Sequence, residues 1–251
     1  MSVHSSLRKH DFRRMPFDKA LANVYDEPAY RTREAAQILS LPQGTVQAWC
    51  FGHDYRHRSD GSRKLFARVI EPADSAHRLL SFVNLCELHL LGVLRRHHRV
   101  QLPQVRTAVQ YMRERLGSDR PLASTGFRTN GIDLFVEHAG ELLNVSKQGQ
   151  RAMREDFEQA LERVDFAATG GPVRLFPFTR PVAPGASQPK IVLVDPSQSF
   201  GRPVLVGAFV RTEVIESRFR GGDSIAEMAE DYSVSPADIE EALRFEQRRA
   251  A

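Results

Sequence analysis

The side chains best suited to chemistry gather near the two ends of the chain. Towards the front, Gln43, Thr45 and Gln47 recur at every second residue, and their amide and hydroxyl groups can pair with base edges in a major groove. Thr32 and Arg33 come just before them. A little further on, in HDYRHRSDGSRKLF, the cations Arg56, Arg58, Arg63 and Lys64 flank Asp60-Gly61. Such cations suit phosphates, and they add salt-dependent affinity without reading sequence. At the far end stand Arg244, Arg248 and Arg249, which can pair with a partner's carboxylates or simply stay solvated.

Other constellations carry less. Cys50, His53 and His57 have the spacing C-x2-H-x3-H, three possible zinc ligands, but no second cysteine pair completes a tetrahedral site. No metal and no cofactor is expected. Glu155, Glu158, Glu162 and Asp165 line one side of an amphipathic stretch and could hold magnesium in a nuclease; a solvated helix face is the commoner meaning. Walker loop, dinucleotide glycine fingerprint, nucleophile elbow and HExxH pair are all missing, so an enzyme is not expected.

The elements that must position the front group are legible. A helix is expected from Thr32, as its cap, with Ala35, Ala36 and Leu39 on a small apolar face. Leu41-Pro42-Gln43-Gly44 is a tight turn, and a second helix begins at Thr45 with Val46 and Trp49 three apart. Small alanines let the second helix pack closely, as a helix-turn-helix requires. Asp60-Gly61 then predicts a hairpin whose four cations make a basic wing. A wing touches the backbone while the second helix enters the groove. The opening YRTREAAQILSLPQGTVQAWC resembles the DNA-reading head of MerR-type regulators.

Charge follows the same division. The chain has 251 residues and a net charge of +4, distributed as +8 over residues 1–120 and −4 over 121–251. A basic front half suits a polyanion and an acidic rear half a basic protein. Residues 1–25 form a basic arm, with Arg8-Lys9-His10 and Arg13-Arg14 around Phe12, able to lie along phosphates. There is no run of eighteen apolar residues, no apolar signal core, and only two cysteines, so no membrane span and a cytoplasmic location are expected.

In the middle, residues 77–98 are apolar nearly all round, with Leu79, Phe82, Val83, Cys86, Leu90, Val93 and Leu94 on one stripe. DNA readers usually pair to match two half-sites, so this segment is expected to be a dimer helix; the alternative is the central core helix of one subunit. Leu102-Pro103 starts another helix that Gly117 stops. Asn130-Gly131 predicts a hairpin over Phe127 to Val136, and a helix is expected from Gln150 to Asp165. Val173 to Phe178 reads as a strand, and a Pro-rich linker covers 181–189.

The last quarter is the most sharply written. Ile191 to Val194 is a strand that ends at Asp195-Pro196. Thr212 can cap a helix ended by Gly221-Gly222. Ser224 and Glu227 have capping-box spacing, and Ser235-Pro236 opens a third helix with Ile239, Ala242 and Leu243 inside. DPSQSFGRPVLVGAFV followed by GGDSIAEMAEDYSVSPADIEEAL resembles the small helix-turn-helix domain of VapB-type antitoxins, with Ala208-Phe209-Val210 where that pattern would carry a glycine-to-threonine turn. The resemblance implies a PIN-like ribonuclease toxin as partner. It also implies a blocking role for Arg244, Arg248 and Arg249, paired with the toxin's acidic residues in place of its metal ion.

The expectation is therefore a mainly α protein with small β-hairpins, in the α+β class. Its parts are a basic arm (1–25), a winged helix-turn-helix (26–75), a helical middle and dimerisation region (76–180), a linker (181–189) and a trihelical antitoxin-type domain (190–251). Its partners are double-stranded operator DNA, a cognate toxin and a second copy of itself. A stand-alone dimeric MerR-like regulator is the alternative.

Overall fold

The computed structural model describes residues 24–56, 63–93, 102–124, 126–143, 145–181 and 188–250, with 53–56 and 63–66 described by their backbone. Among these residues the architecture is α+β, helices joined to four two-stranded antiparallel pairs.

Strand β1 (Tyr30–Arg31) runs directly into α1 (Thr32–Leu39), and a three-residue turn leads to α2 (Gln43–Phe51). Ser40 closes α1 at φ 50°, and the Leu41 N–H returns to the Ala36 carbonyl at 2.9 Å. A left-handed residue followed by such a backward bond is the usual way to satisfy a helix's last carbonyls. Ala35 and Ala36 share one buried cluster with Val46 and Trp49, as the alanine spacing predicts. Thr32 is not the cap. Arg31 holds that position without a side-chain bond, because pairing of β1 with a later strand already keeps it extended.

After Gly52 (φ 67°), β2 (His53–Arg56) pairs antiparallel with β3 (Arg63–Phe66), placing Tyr55 opposite Lys64 and Arg56 opposite Arg63. The expected turn at Asp60-Gly61, with Arg58, lies outside the described residues. The chain then returns to α2, where the amides of Val69 and Ile70 both bond the Trp49 carbonyl, at 2.7 and 3.0 Å.

β4 (Leu79–Leu80) pairs with β1, Tyr30 opposite Leu80. That pairing delays the apolar helix, expected from residue 77, so that α3 spans Phe82–Val93. All twelve of its residues are buried. Its surplus of apolar faces is consumed inside this chain, so α3 is a central core helix and not the exposed dimer face that was expected.

Around it lie α4 (Leu102–Leu116), stopped at Gly117, then α5 (Ile132–Leu143) and α6 (Lys147–Leu161). The hairpin expected at Asn130-Gly131 is instead a wide helical turn, Phe127–Gly131, running into α5. Two packing facts account for this. Helical spacing brings Phe127, Phe135 and Phe157 into edge-to-face contact, with ring centroids 5.1–6.2 Å apart. Gly131 is there for close approach, since a Cβ would come within 2.9 Å of Phe127 and 3.0 Å of Met112. Asp165 leaves the acidic helix face, because α6 ends at Leu161 and β5 (Val164–Phe166) pairs with β6 (Pro172–Leu175).

In the tail, β7 (Val192–Leu193) pairs with β8 (Val204–Leu205), followed by α7 (Thr212–Gly221), α8 (Ile225–Tyr232) and α9 (Pro236–Ala250). The capping box of α8 forms as spaced, with Ser224 and Glu227 exchanging bonds of 3.2 and 2.8 Å. Ser235 and Asp238 form a second at 3.2 and 3.1 Å. Thr212 is again not a cap; Arg211 precedes the helix, and the buried Thr212 hydroxyl bonds Glu246 of α9.

Two apolar clusters result. One runs from Tyr30 to Val194, so the front and middle regions share a single interior across residues 75 and 76. The other joins Leu205, Ile215, Met228, Ala229, Ile239, Ala242 and Leu243. Between them, Arg163 is buried and donates to the carbonyls of Phe176, Pro177, Gln188 and Pro189 at 2.6–3.1 Å. The end of the Pro-rich segment is thus pinned to the same guanidinium as the chain at 176 and 177 that precedes it.

Candidate nucleic-acid interface

The front of the molecule presents one polar edge. Arg31 and Arg33 at the start of α1, and Pro42, Gln43 and Gly44 at the start of α2, are all exposed, with Gln47 half-buried. Between the two helices, Ala35, Ala36, Val46 and Trp49 share the buried cluster. Thr32 and Thr45 are not on this edge. They are buried, 8% and 7% exposed. Helical spacing alone could have shown it, since Thr32 lies three and four residues before Ala35 and Ala36, and Thr45 four before Trp49.

Gly44 is informative for what it lacks. Among the described residues, a Cβ there would meet nothing within 4 Å beyond its own chain neighbours and helix backbone. Glycine in a helix costs about 1 kcal/mol against alanine, and no close contact among the described residues requires it. An open first turn does let a phosphate come close to the backbone amides. Reading the sequence for side-chain donors passed over both Gly44 and Arg31.

Past α2, the hairpin's register sets Arg56 directly across from Arg63 and puts Lys64 one position along. Cys50 is fully buried in the front cluster, and burial pushes its thiol pKa up. Among the described residues no group of three or more His, Cys, Asp or Glu is arranged to hold a metal ion.

The helix pair in the tail, α8 and α9, has the opposite character. Glu227, Glu230, Asp231 and Glu240 are exposed on it, with Asp223 and Asp238 half-buried beside them. Arg218 is drawn in to Asp223 and Asp231 at 2.5 and 2.6 Å. Such a surface repels phosphate.

The three C-terminal arginines are engaged within the chain. Arg244 pairs with Glu241, Arg249 with Glu246 at 2.6 Å, and Arg248 donates to the Phe178 carbonyl at 2.9 Å. Burial lowers the Arg248 pKa. Glu241 also receives Arg180 through two nitrogens. Burial works to raise its pKa, but the bonds from Arg180 and Thr179 outweigh this and hold it low. Arg248 with Phe178, and Arg180 with Glu241, join the tail to the segment that leads into it, while Arg244 and Arg249 pair within α9.

A second seam joins the tail to the front edge. Tyr30 donates to the Gly201 carbonyl at 3.0 Å, and Arg202 forms an ion pair with Glu34 of α1. No helix among the described residues is long and apolar enough to cross a membrane.

Known proteins match along these same divisions. Residues 28–109 match the family described as "Putative DNA-binding HTH domain", and residues 192–245 the one described as "Protein of unknown function (DUF433)". The chain is 27% identical over 246 residues to "Putative antitoxin VapB45" of Mycobacterium tuberculosis H37Rv, covering 91% of this chain and 98% of that one. It is 22% identical over 242 residues to "Uncharacterized protein Rv2308" of the same strain, covering 92% and 95%. The crystal structure of Rv2018 from M. tuberculosis shares the fold, with a TM-score of 0.62 at 21% identity, over 88% of this chain and 99% of that one. The chain is thus similar, at its front, to a DNA-binding type of helix-turn-helix and, over nearly its whole length, to a protein titled an antitoxin.

Proposed function

We propose that this chain is the antitoxin of a toxin–antitoxin pair, acting in the cytoplasm without enzymatic activity of its own. Its front unit binds operator DNA and represses its own operon, and its tail holds and neutralises a PIN-like ribonuclease. The observation that carries the reading is the contrast between the two helix pairs. Arg31 at the end of β1 and Arg33, Gln43 and Gly44 on α1 and α2 are exposed, whereas α8 and α9 expose Glu227, Glu230, Asp231 and Glu240. Only the first is compatible with a polyanion, so it is the DNA reader and the second is a protein-binding module.

On this reading α2 lies in the major groove with Gln43 and Gln47 at base edges, while the β2–β3 hairpin is the wing. Arg31 and Arg33 fix register on the backbone. Two half-sites call for two heads, and because α3 is spent inside the chain, the pairing surface lies elsewhere.

The test has two arms. Binding to the chain's own upstream DNA should weaken steeply between about 50 and 200 mM salt, as phosphate contacts release counterions. Separately, the product of the adjacent reading frame should co-purify with the chain and lose its ribonuclease activity in the complex. DNA binding without a protein companion would leave a stand-alone regulator; absence of both would end the proposal.

A further inference from the structure

Five large apolar side chains are exposed among the described residues, and one stands apart. Phe200 is 87% exposed, against 54% for the next, Phe209. It sits in a turn whose backbone is left-handed at three consecutive positions, Ser199 (φ 46°), Phe200 (φ 54°) and Gly201 (φ 71°). L residues avoid that region, and a run of them persists only where surrounding bonds impose it.

Here they do. The side chain of Asp195 accepts from the Ser197 amide at 2.9 Å, and the Asp195 carbonyl accepts from Gln198 at 2.9 Å. Gly201 bonds back to Gln198 at 2.9 Å and Arg202 to Ser199 at 3.0 Å. Tyr30 holds the Gly201 carbonyl from the front unit. The turn is therefore a rigid mount that presents one phenyl ring to solvent.

Charge says what covers it. Arg174 is paired with Asp195 at one end of the turn, and Arg202 with Glu34 at the other. The two arginine side chains are 49% and 45% exposed, while their carboxylate partners are 4% and 15% exposed. The outward side of both pairs is positive.

We infer that the Ser199–Gly201 turn is the docking point for the protein partner, with Phe200 seated in an apolar pocket whose edge carries carboxylates that meet Arg174 and Arg202. This rests on the reading of the tail as the protein-binding unit. A buried aromatic anchor ringed by charge, already fixed in its bound shape, is the arrangement that concentrates binding energy in few residues. A nucleic acid is disfavoured because the same unit displays Glu227, Glu230, Asp231 and Glu240.

The test is titration calorimetry of the full chain with the adjacent-frame product, comparing Phe200→Gly with Phe209→Gly. Both phenylalanines have positive φ, so glycine fits either backbone and the melting temperature should hold or rise. Phe200→Gly should weaken binding about 30-fold or more, and Phe209→Gly less than about threefold. Binding by Phe200→Gly within about twofold of the parent overturns the docking turn alone and leaves the antitoxin reading standing. No binding by the parent overturns both. Loss of DNA affinity or of a dimer in Phe200→Gly, with partner binding intact, would assign the turn to nucleic acid or to self-association and overturn the inference.

Discussion

The Tyr30 hydroxyl donates to the Gly201 carbonyl at 3.0 Å, tying the strand that opens the front unit to a turn 171 residues further on. Tyr30 is 2% exposed, and burial raises its pKa well above the ordinary value. A Cβ on Gly201 would come within 2.0 Å of that hydroxyl, so this glycine serves both its positive φ and the contact.

Tyr30→Phe should therefore destabilise the chain by about 1–2 kcal/mol, the cost of leaving a buried carbonyl unpaired. Gly201→Ala should cost more, about 3 kcal/mol, because backbone strain adds to the steric clash. Urea unfolding of both variants checks the order; negligible effects in both would show that the seam contributes nothing.

Glu87 sets a pH dependence. It is fully buried on α3, and burial pushes its pKa from 4.5 to about 7 against the opposing pull of Arg120 and the bond from Asn84. A carboxyl raised on folding favours the native state while it stays protonated. Stability from this group is complete below pH 4.5, declines as pH rises, and is lost above about 7, in all about 3 kcal/mol. Glu87→Gln should flatten the stability profile between pH 4.5 and 7 and leave the slope outside that window unchanged. A variant whose profile tracks the parent's would refute the assignment.

The front edge can be dissected by the kind of loss each residue produces. Arg33→Ala should weaken binding to all duplexes alike and reduce the salt slope by about 1. Gln43→Ala should relax discrimination at one base position by about 1–3 kcal/mol. Gly44→Ala should raise thermal stability by up to about 1 kcal/mol yet lower DNA affinity, since the space it fills is empty in the free protein. Thr45→Ala should leave sequence preference intact because the hydroxyl is buried. Competition gel shifts with single-base variants of the upstream DNA separate these outcomes.

Arg163 ties the middle region to the end of the linker that leads into the tail. Burial lowers its pKa to about 10, it donates to four carbonyls, and its guanidinium lies 4.9 Å from the Phe178 ring centre. Arg163→Met keeps much of the volume but orphans those carbonyls, and should cost about 3–5 kcal/mol. Proteolysis should then cut first within residues 176–190. A parent-like digestion pattern would show that the tail is anchored by other contacts.

Local signals were read where their partners were local. Ser224 with Glu227, Ser235 with Pro236, the Gly221-Gly222 stop and the Ala35, Ala36, Val46, Trp49 contact all depend on residues within a few positions of one another or on one short turn. The front edge was half legible. Arg33, Gln43 and Gln47 lie on it, but Thr32 and Thr45 were chosen for their hydroxyls although the helical period turns them inward.

Other features carried a local signal that a distant contact overruled. Asn130-Gly131 has hairpin chemistry, yet Phe135 and Phe157 hold Phe127 in a helical turn, and Met112 leaves Gly131 no room for a side chain. Thr212 has the chemistry of a cap, yet its hydroxyl is taken by Glu246 of α9.

By itself the sequence determined most of the helical segments, the capping boxes and glycine stops of the tail, which faces are apolar, and how charge divides between the two halves, because those depend on spacing along one segment. Tertiary structure decided the rest. It turned an all-round apolar helix into a private core instead of a dimer seam, took Arg244, Arg248 and Arg249 into pairs inside the chain, and set the Phe200 turn against the front unit. The reason is physical: an apolar or charged side chain is satisfied equally well by a neighbour in its own chain or in another, and only the arrival of distant segments fixes which.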